Sequence, residues 1–347
     1  TKLAWRGTRF LPFNQGNDGG KGNPPRATGP ATSYLWEEVW QRKSILNLIQ
    51  RFIRVVKERD KKGKATGKYK LIFPRYQQMD TVRKLSAHAR EHGPGQQYLN
   101  QHSAGSGKTI CIATLANSLA VLHNDQDVPV FNTVIVVSDR RVIDRQLQSD
   151  LADFTDVRGV LENIDGTSRQ LREALEDGKK IVVCTIQKFP HILSDLRELN
   201  QQTFAVIIDE AHSSQSGKAA AQLNQALSRS NETETESEEV DDWEETVNKA
   251  MKAVGRLSNV SYFAFTATPK DTTFQLFGVK QPNGDYKPFT KYSMRQAIEE
   301  GFILDVLKNY TSYEQYFALL KKVEEDPRVD KAKAKKLFPS NGFILLY

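Results

Sequence analysis

The sequence predicts an α/β fold: a parallel sheet covered by helices on both faces. Three observations predict it. Short runs of β-branched and apolar residues alternate with segments of helical spacing, as in a sheet buried on both sides. A Gly-rich loop, His102-Ser103-Ala104-Gly105-Ser106-Gly107-Lys108-Thr109, joins one such run to a helical segment. Asp209-Glu210-Ala211-His212 and Thr266-Ala267-Thr268 each close another run, at the carboxyl ends where such sheets bind ligands.

The elements follow in order. Residues 10–30 are rich in Gly, Asn and Pro and read as an extended connector. Gly19-Gly20-Lys21-Gly22 is not a phosphate loop, because no strand precedes it and Asn23 follows. Ser33 is placed to cap a helix carrying Leu35, Trp36, Val39 and Trp40; Ile45, Leu46, Leu48, Ile49, Phe52, Ile53 and Val56 continue its spacing. These side chains are expected to face the core. Residues 57–70, with seven Lys and Arg side chains, read as a polar turn before a short strand, Tyr69–Phe73. That turn reads equally as a phosphate-contacting loop and as a solvated one. Strands are then expected at Gln97–His102, Thr133–Ser138, Lys180–Thr185, Phe204–Asp209 and Tyr262–Thr268, and helices from Lys108 and from about Val142.

Chemistry explains the motif spacing. Gly105 and Gly107 let the backbone curl so that Ala104 to Gly107 turn their N–H groups inward, a nest for phosphate oxygens. The helix that begins at Lys108 adds its positive end. Lys108 is expected to reach the β- and γ-phosphates of ATP, and the Thr109 hydroxyl to ligate Mg²⁺. Asp209 is the expected partner of that Mg²⁺, directly or one ligand removed. Glu210 is the expected residue to orient or deprotonate the attacking water. His102 stands where the strict pattern has its first glycine. Together and in this order, the three motifs indicate ATP binding coupled to a nucleic acid.

Charge agrees with that partner. The net charge is +7, but residues 232–245 hold nine acidic side chains and no basic one. The rest carries 49 basic against 33 acidic side chains, +16, which suits a polyanion. The acidic stretch reads as a solvated loop, or as a decoy competing with DNA for the basic face. No apolar run reaches the roughly 18 residues that span a bilayer, and no secretory leader is visible. Cys111 and Cys184 sit in apolar patterns and read as buried, reduced thiols of a cytosolic protein. Thr1 stands where a start Met is expected, which suggests a piece of a longer or processed protein.

The residues resemble the first RecA-like lobe of a superfamily 2 DEAH-box motor. Phe73-Pro74-Arg75-Tyr76-Gln77-Gln78 is similar to that superfamily's adenine-reading motif, with Gln78 in the glutamine position and Arg75 beside it. Asp139-Arg140-Arg141 and Thr185-Ile186-Gln187-Lys188 look like its two DNA-backbone motifs. Within the superfamily, Leu11-Pro12-Phe13-Asn14, Gly22-Asn23-Pro24, Thr32 to Glu37, Asp209 to Gln215, Tyr292 to Ile298 and Gly301 to Asp305 resemble the restriction (R) subunit of type I restriction–modification enzymes. The resemblance implies a RecA-like P-loop fold and ATP-driven movement on double-stranded DNA. It also implies methylation and specificity subunits as partners and a prokaryotic cytoplasm. Arg140, Arg141, Thr185, Gln187 and Lys188 would contact phosphates, and His212, Thr266 and Thr268 would couple hydrolysis to movement. Three parts are expected: a connector at 1–72, the ATPase lobe at 73–290 with an insertion at about 229–245, and a linker at 291–347. The family's nuclease domain and second lobe are expected to lie outside this sequence, so that the piece alone would bind ATP with little turnover. A superfamily 2 helicase unrelated to restriction is the alternative reading.

Overall fold

A computed structural model of the chain describes residues 11–59, 65–138, 161–164, 168–185, 189–209, 251 and 255–305. After an extended connector comes a π-helical turn at Leu35–Val39, helix α1 (Arg42–Asn47) and a second π-helical turn at Leu48–Phe52. A hairpin follows, β1 (Arg54–Arg59) and β2 (Ala65–Ile72), and then α2 (Tyr76–His92). The alternating part runs β3 (Gln97–His102), α3 (Lys108–Ala120), β4 (Thr133–Ser138), β5 (Leu161–Ile164), α4 (Ser168–Glu176), β6 (Ile181–Thr185), α5 (Phe189–Glu198) and β7 (Phe204–Ile208). It closes with β8 (Val260–Thr266), α6 (Asp271–Phe277), the small pair β9 (Val279–Lys280) and β10 (Tyr286–Lys287), β11 (Thr290–Tyr292) and α7 (Met294–Glu299).

Seven strands make one sheet in the order β11-β3-β8-β7-β4-β6-β5, every neighbouring pair parallel. The expected α/β class and parallel sheet are what the chain forms. Strand β7 shows why its sequence is uninterrupted in its hydrophobicity. Ala205 and Ile207 join the core on one face, with α2 and α3 residues such as Leu85, Ile112 and Leu115. Phe204, Val206 and Ile208 join the other, with α4 and α5 residues such as Leu175, Ile192 and Leu196. A strand covered on both faces has no polar side to alternate with. Each of its larger side chains, Phe204, Val206, Ile207 and Ile208, contributes roughly 1.5–3 kcal/mol on burial. Cys111 and Cys184 are both buried in these cores and form no disulfide, as expected.

Two expectations about the N-terminal flank are corrected. The helix expected from Ser33 through Val56 is three short pieces, broken at Gln41, whose ψ of 144° is extended. Each π-helical turn shifts the facing of the residues beyond it. Tyr34, Val39, Leu48 and Phe52 reach the core, but Trp36, Trp40, Ile45, Leu46 and Ile49 are exposed. Ser33 accepts the N–H groups of Trp36 and Glu37 through its backbone carbonyl rather than capping with its hydroxyl. The basic turn at 57–70 is mostly the hairpin: Arg54 pairs with Ile72, Val55 with Leu71, Val56 with Lys70 and Lys57 with Tyr69. Alternation of Lys with Val, Tyr and Leu is strand periodicity, which the charge of the segment obscures. The helix expected from Val142 and the acidic stretch at 232–245 lie outside the described residues.

Candidate nucleotide-binding site

The Gly-rich loop leaves the carboxyl end of β3. Gly105 and Gly107 have φ of +70° and +79°, the left-handed region that glycine enters without steric cost. Gly107 is the N-cap of α3, and its carbonyl accepts from Cys111 N–H at 3.2 Å. The first N–H groups of a helix point out of its end, and those of α3 lie at the mouth of the loop. Lys108 and Thr109 are half-buried at this mouth, Ala104 and Gly105 are exposed, and Ser106 is buried. Among the described residues the buried Ser106 hydroxyl has no hydrogen-bond partner. Left-handed glycines, outward N–H groups, a lysine and a hydroxyl fit a polyphosphate with a divalent cation.

Helix α2 braces the loop from beneath. Gln78 is buried, and both ends of its amide are engaged. Its Oε1 accepts the Arg75 N–H at 2.9 Å, and its Nε2 donates to the Gly107 carbonyl at 3.0 Å. A Cβ placed on Gly107 would collide with that Nε2. Arg75 donates from Nη1 to the Gly105 carbonyl at 2.8 Å, and its guanidinium stacks 3.8 Å from the centre of the Phe302 ring. Arg75 also lines an apolar cavity of about 480 Å³ with Phe13, Trp40 and Phe73. On the far side of the loop, Ile303 lies where a Cβ on Gly105 would have to go.

His102, in place of glycine, is the residue whose role its sequence position did not reveal. It is fully buried, and its Nε2 meets the Thr81 hydroxyl at 3.0 Å. Burial, and then the nearby Lys108 charge, lower its pKa to about 3, so it is neutral. Phe265 and Tyr292 pack against it edge-on, and the Ser103 N–H donates to the Tyr292 carbonyl at 3.0 Å. His102 thus ties β3 to α2 and β11 just before the loop turns. Thr81, three residues after Gln78 on the same helix, was the available signal.

Strand β8 lies between β3 and β7. The loop after β3, Thr266 at the end of β8 and Asp209 just beyond β7 are therefore neighbours at one end of the sheet. Asp209 is buried, and its N–H donates to the Val137 carbonyl at 2.9 Å, which extends the β4–β7 ladder by one bond. The Thr266 hydroxyl is buried and accepts the Thr268 N–H at 3.3 Å, a local cap of the turn before Pro269; Thr268 itself is exposed. Thr185 ends β6 at the same end of the sheet, half-buried. Glu210, His212, Arg140, Arg141, Gln187 and Lys188 lie outside the described residues.

The segments that carry the restriction-type resemblance converge on this loop. Tyr76 receives Phe13 and Tyr34 edge-on at 5.5 and 5.4 Å, and Tyr34 donates its hydroxyl to the Phe13 carbonyl. Burial raises the Tyr76 pKa to about 12. The connector is tied to α7: Lys21 N–H donates to Glu299 at 2.8 Å, and the Ser293 hydroxyl, which caps α7, donates to the Gly19 carbonyl. β11, which spans residues 290–292, joins the sheet beside β3 and leads through α7 to Phe302 and Ile303.

Residues 77–337 match the family model of the SWI2/SNF2 ATPase. Over 300 residues the chain is 26% identical to a Methanocaldococcus jannaschii protein provisionally designated the type I restriction enzyme MjaVIIIP endonuclease subunit. That alignment takes in 78% of this chain and 25% of the relative, so the chain spans about a quarter of that relative's length. Among solved structures it is similar to the UvsW helicase from bacteriophage T4 (TM-score 0.40, 13% identity, 71% of this chain and 66% of that one). It is also similar to the DUF1998 helicase MrfA (TM-score 0.34, 15% identity, 57% and 28%). With three quarters of its length inside one family model, the chain belongs to the SWI2/SNF2 ATPase family.

Proposed function

We propose that this chain is the ATP-binding motor lobe of a type I restriction enzyme R subunit, which moves double-stranded DNA before cleavage. The observation that carries this reading is the junction at Arg75. There the adenine-type motif, the phosphate loop and the restriction-type segment at Phe302 meet in one set of contacts. The M. jannaschii relative supports the restriction assignment. In this reading Lys108 holds the β- and γ-phosphates, while Thr109 and Asp209 hold Mg²⁺. Gln78 and Arg75 lie by the base, and Glu210 orients the attacking water. The bound Mg²⁺–ATP supplies the free energy of phosphoryl transfer to water. Asp209 sits one strand away from Thr266, so a change at the nucleotide can reach the β8 turn. His212, Thr266 and Thr268 pass it on to phosphate contacts at Arg140, Arg141, Thr185, Gln187 and Lys188. Methylation and specificity subunits choose the site, and the setting is the prokaryotic cytoplasm. The connector at 1–72, the lobe at 73–290 with its insertion at about 229–245, and the linker at 291–347 complete the proposed organisation.

The test is ATP hydrolysis by the protein in its longest native form, with duplex DNA, with RNA and with neither. Duplex DNA is expected to stimulate turnover and RNA to leave it at the basal rate. Lys108→Ala is expected to remove ATP binding in calorimetric titrations, because the point charge on the phosphates is lost. Stimulation by RNA and not by duplex DNA would sink the restriction reading in favour of an RNA helicase.

A further inference from the structure

A second cluster of positive charge lies farther along α2 than Gln78, which meets the Gly-rich loop. Arg51 from the second π-helical turn, with Arg83 and Arg90 from α2, lines a cavity of about 270 Å³ that also includes Asn47, Ser86 and Ser118. None of the residues lining it is acidic. Arg83 is fixed: Nε donates to Asn47 Oδ1 at 3.1 Å and Nη2 to the Ser44 carbonyl at 3.0 Å. The Ser86 hydroxyl is buried and has no hydrogen-bond partner among the described residues. Burial, and then repulsion from Arg90 and Arg54, lower the Arg51 pKa; burial lowers that of Arg83. Positive groups are thus gathered in a partly dry cleft whose lining holds no carboxylate, the nearby Asp80 acting on Arg83 from outside it. The volume admits a phosphate group with several waters of about 30 Å³ each.

Where the cavity ends, the β1–β2 hairpin begins. It pairs with no strand of the main sheet. Its strands carry Arg54, Lys57, Arg59, Lys68 and Lys70 against a single acid, Glu58, and Val55, Tyr69 and Leu71 are exposed. The basic composition of the chain therefore continues from the cleft into the hairpin. A two-stranded ribbon also has the width that the major groove of a duplex admits.

We propose that the Arg51–Arg83–Arg90 cleft is a second nucleic-acid site, seating a backbone phosphate of duplex DNA while the β1–β2 hairpin lies along the same duplex. It rests on the reading of the chain as a DNA motor. Guanidinium groups pair bidentately with phosphate oxygens, and such contacts hold register without reading sequence. The site lies on the N-terminal flank rather than at the strand ends, so it would grip the duplex independently of the nucleotide.

The experiment is fluorescence anisotropy of a labelled duplex with the parental chain and with Arg51→Ser/Arg90→Ser, at several salt concentrations. Neither arginine holds a fold-defining hydrogen bond among those described, and ATP binding serves as the check that the variant is folded. The parental slope of log affinity against log salt is expected to exceed the variant's by about 0.9, the value for one phosphate contact. The ratio of the two affinities then changes about three- to fourfold between roughly 50 and 200 mM salt. Arg51→Lys/Arg90→Lys is expected to recover most of the slope. Equal slopes and affinities for parent and double Ser variant would overturn the site. So would a parental stabilisation by inorganic phosphate that the variant loses while duplex affinity stays unchanged, since the anion would then be a free phosphate. Absence of duplex binding by the parent, with and without ATP, would overturn the motor reading and this site with it.

Discussion

At Gln78 a single amide holds two pieces of backbone, and its two ends face opposite partners. Oε1 accepts from Arg75 N–H while Nε2 donates to the Gly107 carbonyl. Gln78→Ala removes both bonds, about 0.5–1.5 kcal/mol each. Gln78→Glu keeps the first and turns a carboxylate oxygen onto the Gly107 carbonyl, in a buried place. The Glu variant is therefore expected to be the less stable of the two by thermal unfolding; a Glu variant as stable as the parent would show that the loop carbonyls are not held this way. His102 gives a pH signature. Its folded pKa, about 3, is below the unfolded value of about 6.5, so the unfolded chain binds more protons between those pH values. The stability it contributes is fully present above about pH 6.5 and is lost as pH falls toward 3, at up to about 1.36 kcal/mol per pH unit. His102→Gln should flatten that part of the stability–pH curve, read from denaturant midpoints at a series of pH values. An unchanged slope would place the titration elsewhere. The turn at Gly105 and Gly107 was legible because glycine enters the left-handed region without steric cost. His102 was not, since its value lies in a partner, Thr81, that is 21 positions away.

At the scale of elements, five of the seven parallel strands were legible to within two residues, because a strand buried on both faces writes itself as an apolar run; β5 (Leu161–Ile164) and β11 were not expected. The flank was not legible. Trp36, Trp40, Leu46 and Ile49 keep helical spacing, but two π-helical turns and the extended Gln41 rotate them out to solvent. Periodicity assumes one unbroken helix and fails where three short ones abut. β11, three residues long, has too little sequence to announce itself and is defined by pairing with β3. The end of β8 shows what an element can add to a motif. The Thr266 hydroxyl is buried and caps the turn, while Thr268 is exposed. Thr266→Val should cost about 1 kcal/mol of stability, and Thr268→Ala should stay within about 0.5 kcal/mol. Under the proposed coupling, both variants keep ATP hydrolysis and slow displacement of a DNA-bound triplex by the native-length protein. If Thr268→Ala displaces at the parental rate while Thr266→Val does not, the hydroxyl of Thr266 alone carries the coupling.

Over the whole molecule, the phosphate loop is the place where distant parts of the chain meet. Arg75 reaches it from the N-terminal side, and Phe302 reaches Arg75 from beyond the sheet's last strand. The connector closes the circle through Lys21, Gly19 and α7. A ligand seated in the loop therefore stabilises segments at both ends of the described fold, and ATP at 100 times its dissociation constant should add about 2.7 kcal/mol to unfolding. The stack of Arg75 on Phe302 is where the two ends act as one. Arg75→Ala loses the bond to Gly105 and the stack; Phe302→Ala loses the stack and leaves the guanidinium on the Gly105 carbonyl. Because both remove the same contact, their effects on ATP affinity should fall short of additive. The interaction energy of residues in contact is about 0.5–3 kcal/mol, and an exposed cation–π pair supplies about 0.5–1 kcal/mol of it. Calorimetric titration of ATP into the parent, the two single variants and the double variant measures that energy directly. Effects that add to within about 0.3 kcal/mol would mean that the two ends reach the nucleotide separately.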